Sequence, residues 1–271
     1  MAKIRADLLL VNKGLAPSRE KAKRIIMEAK AFIGTNRIEK PGELLDEDTD
    51  IKIKSNAIEF VSRGGYKLKK VLEDHNIDLT DRICIDIGAS TGGFTDCMLK
   101  HGAKKVYAID VGYNQLAYKL RTNSRVIVME RCNIRHLDKD KIKEKVSFIS
   151  IDVSFISLEL VLPKALELAD ERCEFVALIK PQFEAGKEKV GKGGIVRDCK
   201  VHLEVLNKIC DCAKTLNLNI KDICYSPITG TKGNIEFLIY MDNYTNYSDN
   251  NHSDNFDLNN IVKEARDNLK K

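Results

Sequence analysis

The sequence predicts an α/β protein in two parts: a doubly wound parallel sheet, preceded by a small basic α+β domain. Three observations predict it. From Arg82 onward, short β-branched or aliphatic runs alternate with helical stretches, the pattern of a parallel sheet covered on both faces. A loop of small residues, 88–93, follows the first of these runs, where open sheets of this kind hold ligands. Charge is also uneven. Residues 1–40 carry ten Lys and Arg against four Asp and Glu, whereas residues 41–60 carry two against six. A separate opening domain with one positive face follows from that contrast.

A length of 271 residues suits two domains, at roughly 100–200 residues each. With 43% hydrophobic and 31% charged residues, the chain has enough apolar surface to offset chain entropy, which excludes a disordered or fibrous protein. No stretch approaches the roughly 18 apolar residues of a membrane span. Asp7 interrupts the start, so no secretory leader is read there, and the expectation is a cytoplasmic protein that does not enter membranes. The eight cysteines contain no Cys-x-x-Cys spacing, so they are read as reduced core thiols and no metal site is expected. Sequons at Asn243, Asn246 and Asn251 carry no meaning without a secretory signal.

In chain order, residues 19–30 place Ala22, Ile25, Ile26 and Ala29 at helical spacing, with Ser18 as N-cap. Arg19, Lys23 and Lys30 share another face, either a solvated charged surface or a nucleic-acid contact. Strands are expected at 83–87, 105–109, 125–129, 147–152 and 175–179, and helices at 93–100, 114–120 and 157–169. A helix at 200–215 then precedes strands at 220–225 and 235–241. Residues 242–257, rich in Asn and Asp, read as a linker. Leu258, Ile261, Val262, Ala265 and Leu269 make a final amphipathic helix within 258–271. The expected boundaries are therefore 1–60 for the small domain, 61–81 for a linker and leading helix, and 82–241 for the sheet domain.

The loop Asp86-Ile87-Gly88-Ala89-Ser90-Thr91-Gly92-Gly93-Phe94 lets backbone approach a ligand closely. The next strand ends at Asp110, placed to accept both hydroxyls of a ribose. That arrangement serves a dinucleotide or S-adenosylmethionine. The loop lacks Gly-x-Gly-x-x-Gly, so close pyrophosphate contact is poorly supported. The pair Tyr66 and Lys70 precedes the first strand, and Gly186 to Gly193 only approximates a phosphate loop. Asp-x-Gly-x-x-x-Gly-Gly-Phe instead resembles the first motif of S-adenosylmethionine-dependent methyltransferases, particularly the FtsJ-like RNA ribose group.

Four charged residues stand at suggestive places: Lys67 before the sheet, Asp152 and Lys180 at carboxyl strand ends, and Glu236 opening the last strand. Each taken singly reads as a surface charge. Together they suit methyl transfer to a poor nucleophile. A ribose 2′-hydroxyl needs a base and a fixed approach, and a lysine can serve when burial and a neighbouring cation depress its pKa. General-base help gives about 10²–10⁴-fold, and alignment supplies much of the rest. After Lys180, residues 182–198 interleave glycines with Lys187, Lys189, Lys192 and Arg197, a cationic loop suited to a phosphate backbone.

Arg5-Ala6-Asp7-Leu8-Leu9, Lys13 to Arg19, Ala22 and Asp50-Ile51 resemble the S4 RNA-binding domain, although Ala6 and Ala31 depart from its pattern. The runs Val61-Ser62-Arg63-Gly64, Gly88 to Thr95, Asp110-Val111-Gly112-Tyr113, Asp152 to Leu158 and Lys180-Pro181-Gln182-Phe183-Glu184 are similar to the TlyA family. That family joins an S4 domain to a Rossmann-like, FtsJ-like methyltransferase domain; some of its members are called haemolysins. The resemblance implies 2′-O-methylation of cytidine in ribosomal RNA, on the large subunit and in some members the small one. It implies a catalytic tetrad of Lys67, Asp152, Lys180 and Glu236, with Lys180 as base. S-adenosylmethionine is then expected against Asp86, Gly88, Ala89, Ser90, Thr91, Gly92, Gly93, Phe94, Asp110, Val111, Asn133 and Asp152. Ribosomal RNA or ribosomal subunits are the expected partners, through Arg5, Arg19, Lys23, Arg24, Lys30, Arg63, Lys187, Lys189 and Lys192. Some members carry an Arg-x-Trp-Val linker, where this chain has Ile58-Glu59-Phe60-Val61.

Two alternatives stand beside the enzyme. A non-catalytic RNA-binding assembly factor would need the basic helix and not Lys180. A membrane-lytic protein is suggested only by the haemolysin name.

Overall fold

The chain folds as two units, Met1–Glu59 and Phe60–Lys271, in a computed structural model that describes residues 3–27, 30–34, 36–53, 59–230, 233–245 and 256–269. Ala29, Ile58, Asn246, Asn251, most of the Asn- and Asp-rich stretch and residues 270–271 lie outside the described residues.

The first unit runs β1 (Lys3–Arg5), α1 (Ala6–Asn12), α2 (Arg19–Met27), β2 (Ala31–Ile33), β3 (Asn36–Arg37), β4 (Leu44–Asp46) and β5 (Ile51–Ile53). Ser18 Oγ accepts the Lys21 N–H at 3.2 Å, satisfying one donor at the start of α2. That helix buries Ala22, Ile25 and Ile26 in a core shared with Leu9, Leu10, Ile38 and Ile51. Strand β1 pairs with β4, and β2 lies between β3 and β5.

The second unit begins with α3 (Gly65–Asp74), then β6 (Ile83–Ile87), α4 (Gly93–Lys100), β7 (Lys105–Ile109), α5 (Tyr118–Arg121) and β8 (Val126–Met129). It continues with β9 (Phe148–Ile151), α6 (Leu162–Leu168), β10 (Glu174–Ile179), α7 (Pro181–Glu184) and α8 (Cys199–Thr215). Strands β11 (Asn219–Tyr225) and β12 (Phe237–Asp242) and helix α9 (Leu258–Leu269) complete it. The seven strands lie in the order β11-β12-β10-β9-β6-β7-β8. Period-2 alternation divides the core into two layers. Ile85, Ile87, Phe175, Ala177, Phe237 and Ile239 face α6, α8 and α9. Cys84, Phe148, Val176, Leu178 and Leu238 face α3 and α4.

Three expectations are adjusted. The sheet is not wholly parallel, because β12 runs antiparallel to both β10 and β11. The expected helix at 114–120 shrinks to α5, since Asn114 takes φ +57° and the chain before α5 hydrogen-bonds the glycine loop, Ala117 N–H to Thr91 O at 3.1 Å. The expected helix at 157–169 splits into a 3₁₀ turn, Leu158–Leu160, and α6. Pro163, lacking an N–H, sits in the first turn of α6, where none is required.

Candidate active site

The order of strands places a crossover reversal beside β6, whose neighbours are β7 and β9, and the carboxyl ends of these strands carry the polar residues. From β6 the chain turns through Gly88 at φ +86°. A Cβ there would lie 2.4 Å from the Asp152 carbonyl oxygen, so only glycine lets this loop pass the end of β9. Ser90 adopts φ +48°, and its N–H donates to Asp110 Oδ2 at 2.7 Å. The other Asp110 oxygen accepts the Gly112 N–H at 2.6 Å. A carboxylate has about four acceptor sites, so Asp110 braces the loop and keeps capacity for hydroxyl donors.

Two cavities adjoin this loop. One, of about 410 Å³, is mainly apolar; its walls include Ile87, Ile109, Asp110, Val111, Asn133, Ile134, Phe155 and Ile156. The other, of about 300 Å³, is polar, with Asp86, Ala89, Thr91, Gly93, Phe94, Ser62, Arg63, Lys67, Asp152, Lys180 and Glu236 in its wall. Gly88, Ser90, Asp152 and Ser154 belong to both. All the residues expected to hold a cofactor line one cavity or the other except Gly92, which at φ +94° packs against Leu116 and Leu120. Asp86 is fully buried, accepting from Thr95 Oγ1 at 2.6 Å and Ser150 Oγ at 3.3 Å. Burial pushes its carboxyl up to about 7; the Thr95 hydrogen bond opposes that rise and the nearby Asp152 charge adds to it.

The four expected catalytic residues come together around the polar cavity. Lys67, in the first turn of α3, donates to Glu236 Oε2 at 2.6 Å, and both side chains are buried. Antiparallel β12 explains how Glu236 arrives. Phe237 pairs with Ile179, so Glu236, one residue before β12, shares a sheet end with Lys180, one residue after β10. Glu236 thus precedes the last strand and does not open it. Lys180 Nζ lies 2.5 Å from Asp152 Oδ1, an ion pair whose angle is not that of a hydrogen bond. Its aligned hydrogen bond goes to Ser154 Oγ at 3.0 Å.

Of the expected RNA contacts, Arg63 lines the polar cavity. Lys187 and Lys192 are exposed, and Lys189 pairs with Glu204 at 2.5 Å. In the first unit Lys23 and Arg24 are exposed and Lys30 is half-buried. Arg5 and Arg19 both grip the buried Asp7, at 3.0 and 2.9 Å, and hold its carboxyl down at about 2, the Arg5 hydrogen bond acting most strongly. Their guanidiniums are therefore partly engaged within the protein.

Sequence reasoning gave no site role to Ser154, Phe155 or the segment Ile228-Thr229-Gly230, all of which line the cavities. Phe155 is 90% exposed at φ +64°, with its ring 4.8 Å from that of Phe183. An exposed bulky residue in left-handed backbone is a local-rule violation of the kind that gathers at functional sites, but only coordinates reveal it. Gly230 carried a readable signal as a glycine six residues before Glu236. A Cβ there would lie 2.0 Å from Glu236 Oε1.

The thiols stand apart from this chemistry. None of the eight cysteines is in a disulfide, and burial pushes Cys84 up to about 12, as suits a core thiol. Among the described residues, no helix is long and apolar enough to cross a membrane.

The profile of FtsJ-like methyltransferases matches residues 60–243. The chain is 52% identical over 240 residues to YqxC of Bacillus subtilis, a provisionally assigned rRNA methyltransferase, covering 88% of this chain and 85% of that protein. It is 39% identical over 238 residues to the 16S/23S rRNA (cytidine-2′-O)-methyltransferase TlyA of Mycobacterium tuberculosis, covering 88% and 89%. A solved structure from Streptococcus thermophilus, provisionally described as a haemolysin, superposes with a TM-score of 0.76 at 44% identity over 100% of this chain and 98% of that one.

Proposed function

The chain belongs to the FtsJ-like methyltransferase family, and we propose that it methylates the ribose 2′-hydroxyl of a cytidine in ribosomal RNA, with S-adenosylmethionine as donor. One observation carries the reading. Residues 67, 152, 180 and 236, from four separate segments, meet as two ion pairs around one cavity, and that cavity adjoins the glycine loop.

The residues present fit the donor. The Gly88 turn leaves no room for a Cβ, Asp110 has acceptor capacity for ribose hydroxyls, and Val111, Ile134 and Asn133 offer an apolar wall with one amide for a purine. When bound, S-adenosylmethionine supplies an electrophilic methyl on a sulfonium.

The protein's own part is binding, alignment and proton transfer. In its neutral form Lys180 accepts the 2′-hydroxyl proton at Nζ as the oxygen attacks. Asp152, 2.5 Å away, then stabilises the ammonium so formed, and Ser154 fixes the direction of the side chain. The buried Lys67–Glu236 pair keeps a second ammonium in the cavity wall, where it can hold a ribose oxygen. Such alignment accounts for much of the rate in reactions of this kind. Arg63 at the cavity wall and the exposed Lys187 and Lys192 supply cations for phosphates.

Purified protein, labelled S-adenosylmethionine and deproteinised ribosomal subunits test the reading. Label is expected in RNA with wild type and not with folded Lys180→Ala. Unlabelled RNA with wild type contradicts it, and undiminished label with Lys180→Ala contradicts the role of that lysine. An assembly factor would keep its cellular function in that variant.

A further inference from the structure

Lys180 and Asp152 stand on the segments that leave two adjacent parallel strands, β10 and β9. Beyond β9 the chain is irregular from Asp152 to Ser157, beyond β10 Lys180 alone joins the strand to α7, and a lysine has a long flexible stem. Something must therefore fix the two backbones if Nζ is to stay at Asp152 and Ser154. We infer that Glu184, which no catalytic step uses, is the positioning residue that does so; the inference rests on the methyltransferase reading above.

Glu184 closes the short helix α7, four residues after Lys180. Its carboxylate is 98% buried at the side-chain level, with relative exposure of 2%. One oxygen accepts the Leu158 N–H at 2.8 Å, and the other accepts the Ser157 hydroxyl at 2.6 Å. Ser157 and Leu158 end the segment that begins at Asp152 and open the 3₁₀ turn Leu158–Leu160. The carboxylate thus caps that turn from a neighbouring segment. Between the two ends, Lys180 reaches Ser154 and Phe155 meets Phe183, so the segments are tied at both ends and in the middle.

Lys208 on α8 compensates the buried charge. Its ammonium lies 3.6 Å from Glu184 Oε2 and 2.6 Å from Glu159 Oε2, and it donates to the Glu184 carbonyl at 3.3 Å. Both Glu184 oxygens accept a donor, so a side chain without polar atoms at this position opens both ties. A glutamine can keep both contacts, its oxygen accepting the Leu158 N–H and its NH₂ donating to the Ser157 hydroxyl, whereas Glu184→Ala removes both acceptors.

Steady-state kinetics on ribosomal RNA, beside S-adenosylmethionine binding by calorimetry, test the inference. Glu184→Ala is expected to lower kcat about ten- to a hundredfold, the range for sub-ångström to 1 Å misplacement, while KM for RNA and the donor Kd stay within about twofold. A purely structural role would lower the folded fraction and leave kcat per folded molecule unchanged. Ser157→Ala removes one donor only. It is expected to lower kcat about threefold or more, with the double variant no worse than Glu184→Ala alone. Should Glu184→Ala fail to fold, Ser157→Ala carries the test, and an unchanged kcat there overturns the inference. An active wild type with kcat retained in Glu184→Ala overturns the inference alone, whereas an inactive wild type removes the methyltransferase reading beneath it.

Discussion

Lys67 and Glu236, 169 positions apart in the chain, form a 2.6 Å contact with both side chains nearly excluded from water. Removing one partner of such a pair leaves an unpaired buried charge, which costs about 3–5 kcal/mol. Glu236→Ala is therefore expected to lower stability by about that amount in urea unfolding. Replacing both partners, as in Lys67→Met with Glu236→Leu, is expected to restore most of the stability without restoring methylation. A double variant as unstable as the single one would show that the pair's charges are not what the fold depends on here.

Gly88 allows a second prediction. Its φ of +86° and the 2.4 Å approach of a Cβ to the Asp152 carbonyl mean that Gly88→Ala must shift either the glycine loop or the end of β9. Donor affinity is expected to fall at least tenfold, read by calorimetry, while circular dichroism stays that of a folded α/β protein. Unchanged affinity would remove this turn from the donor site.

Asp86 gives the protein a pH signature. Its carboxyl sits at about 7 in the fold, because burial penalises the charged form, against about 3.9 in an unfolded chain. Between those values the folded state holds a proton that the unfolded state lacks, so stability falls as pH rises from about 4 to 7. Asp86→Asn cannot lose a proton. The Tm of wild type relative to this variant is expected to decline across that window, and a flat difference would contradict the assignment.

Much of this was legible in the sequence because burial on both faces leaves a simple imprint. The runs 83–87 and 105–109 became strands at those bounds, being short, aliphatic and followed by turn residues. Position along the chain placed Asp152 and Lys180 at strand ends, since parallel strands separated by helices all finish on one side. What stayed hidden depends on contacts between distant segments. The direction of β12 follows from a connection, residues 226–236, too short and too free of helical periodicity for a parallel crossover. That signal was present and unused. The cap that Glu184 places on Ser157 and Leu158, and the strained backbone of Phe155, leave no trace in local pattern, because neither is set by neighbours in sequence.

The most direct test of the central claim, that Lys180 takes the proton from a cytidine 2′-hydroxyl, is nuclease digestion and mass spectrometry of ribosomal RNA methylated by the purified protein. 2′-O-Methylcytidine is expected as the sole new nucleoside with wild type, and none with Lys180→Ala. Methyl groups on a base, or 2′-O-methylcytidine formed equally by Lys180→Ala, would contradict it.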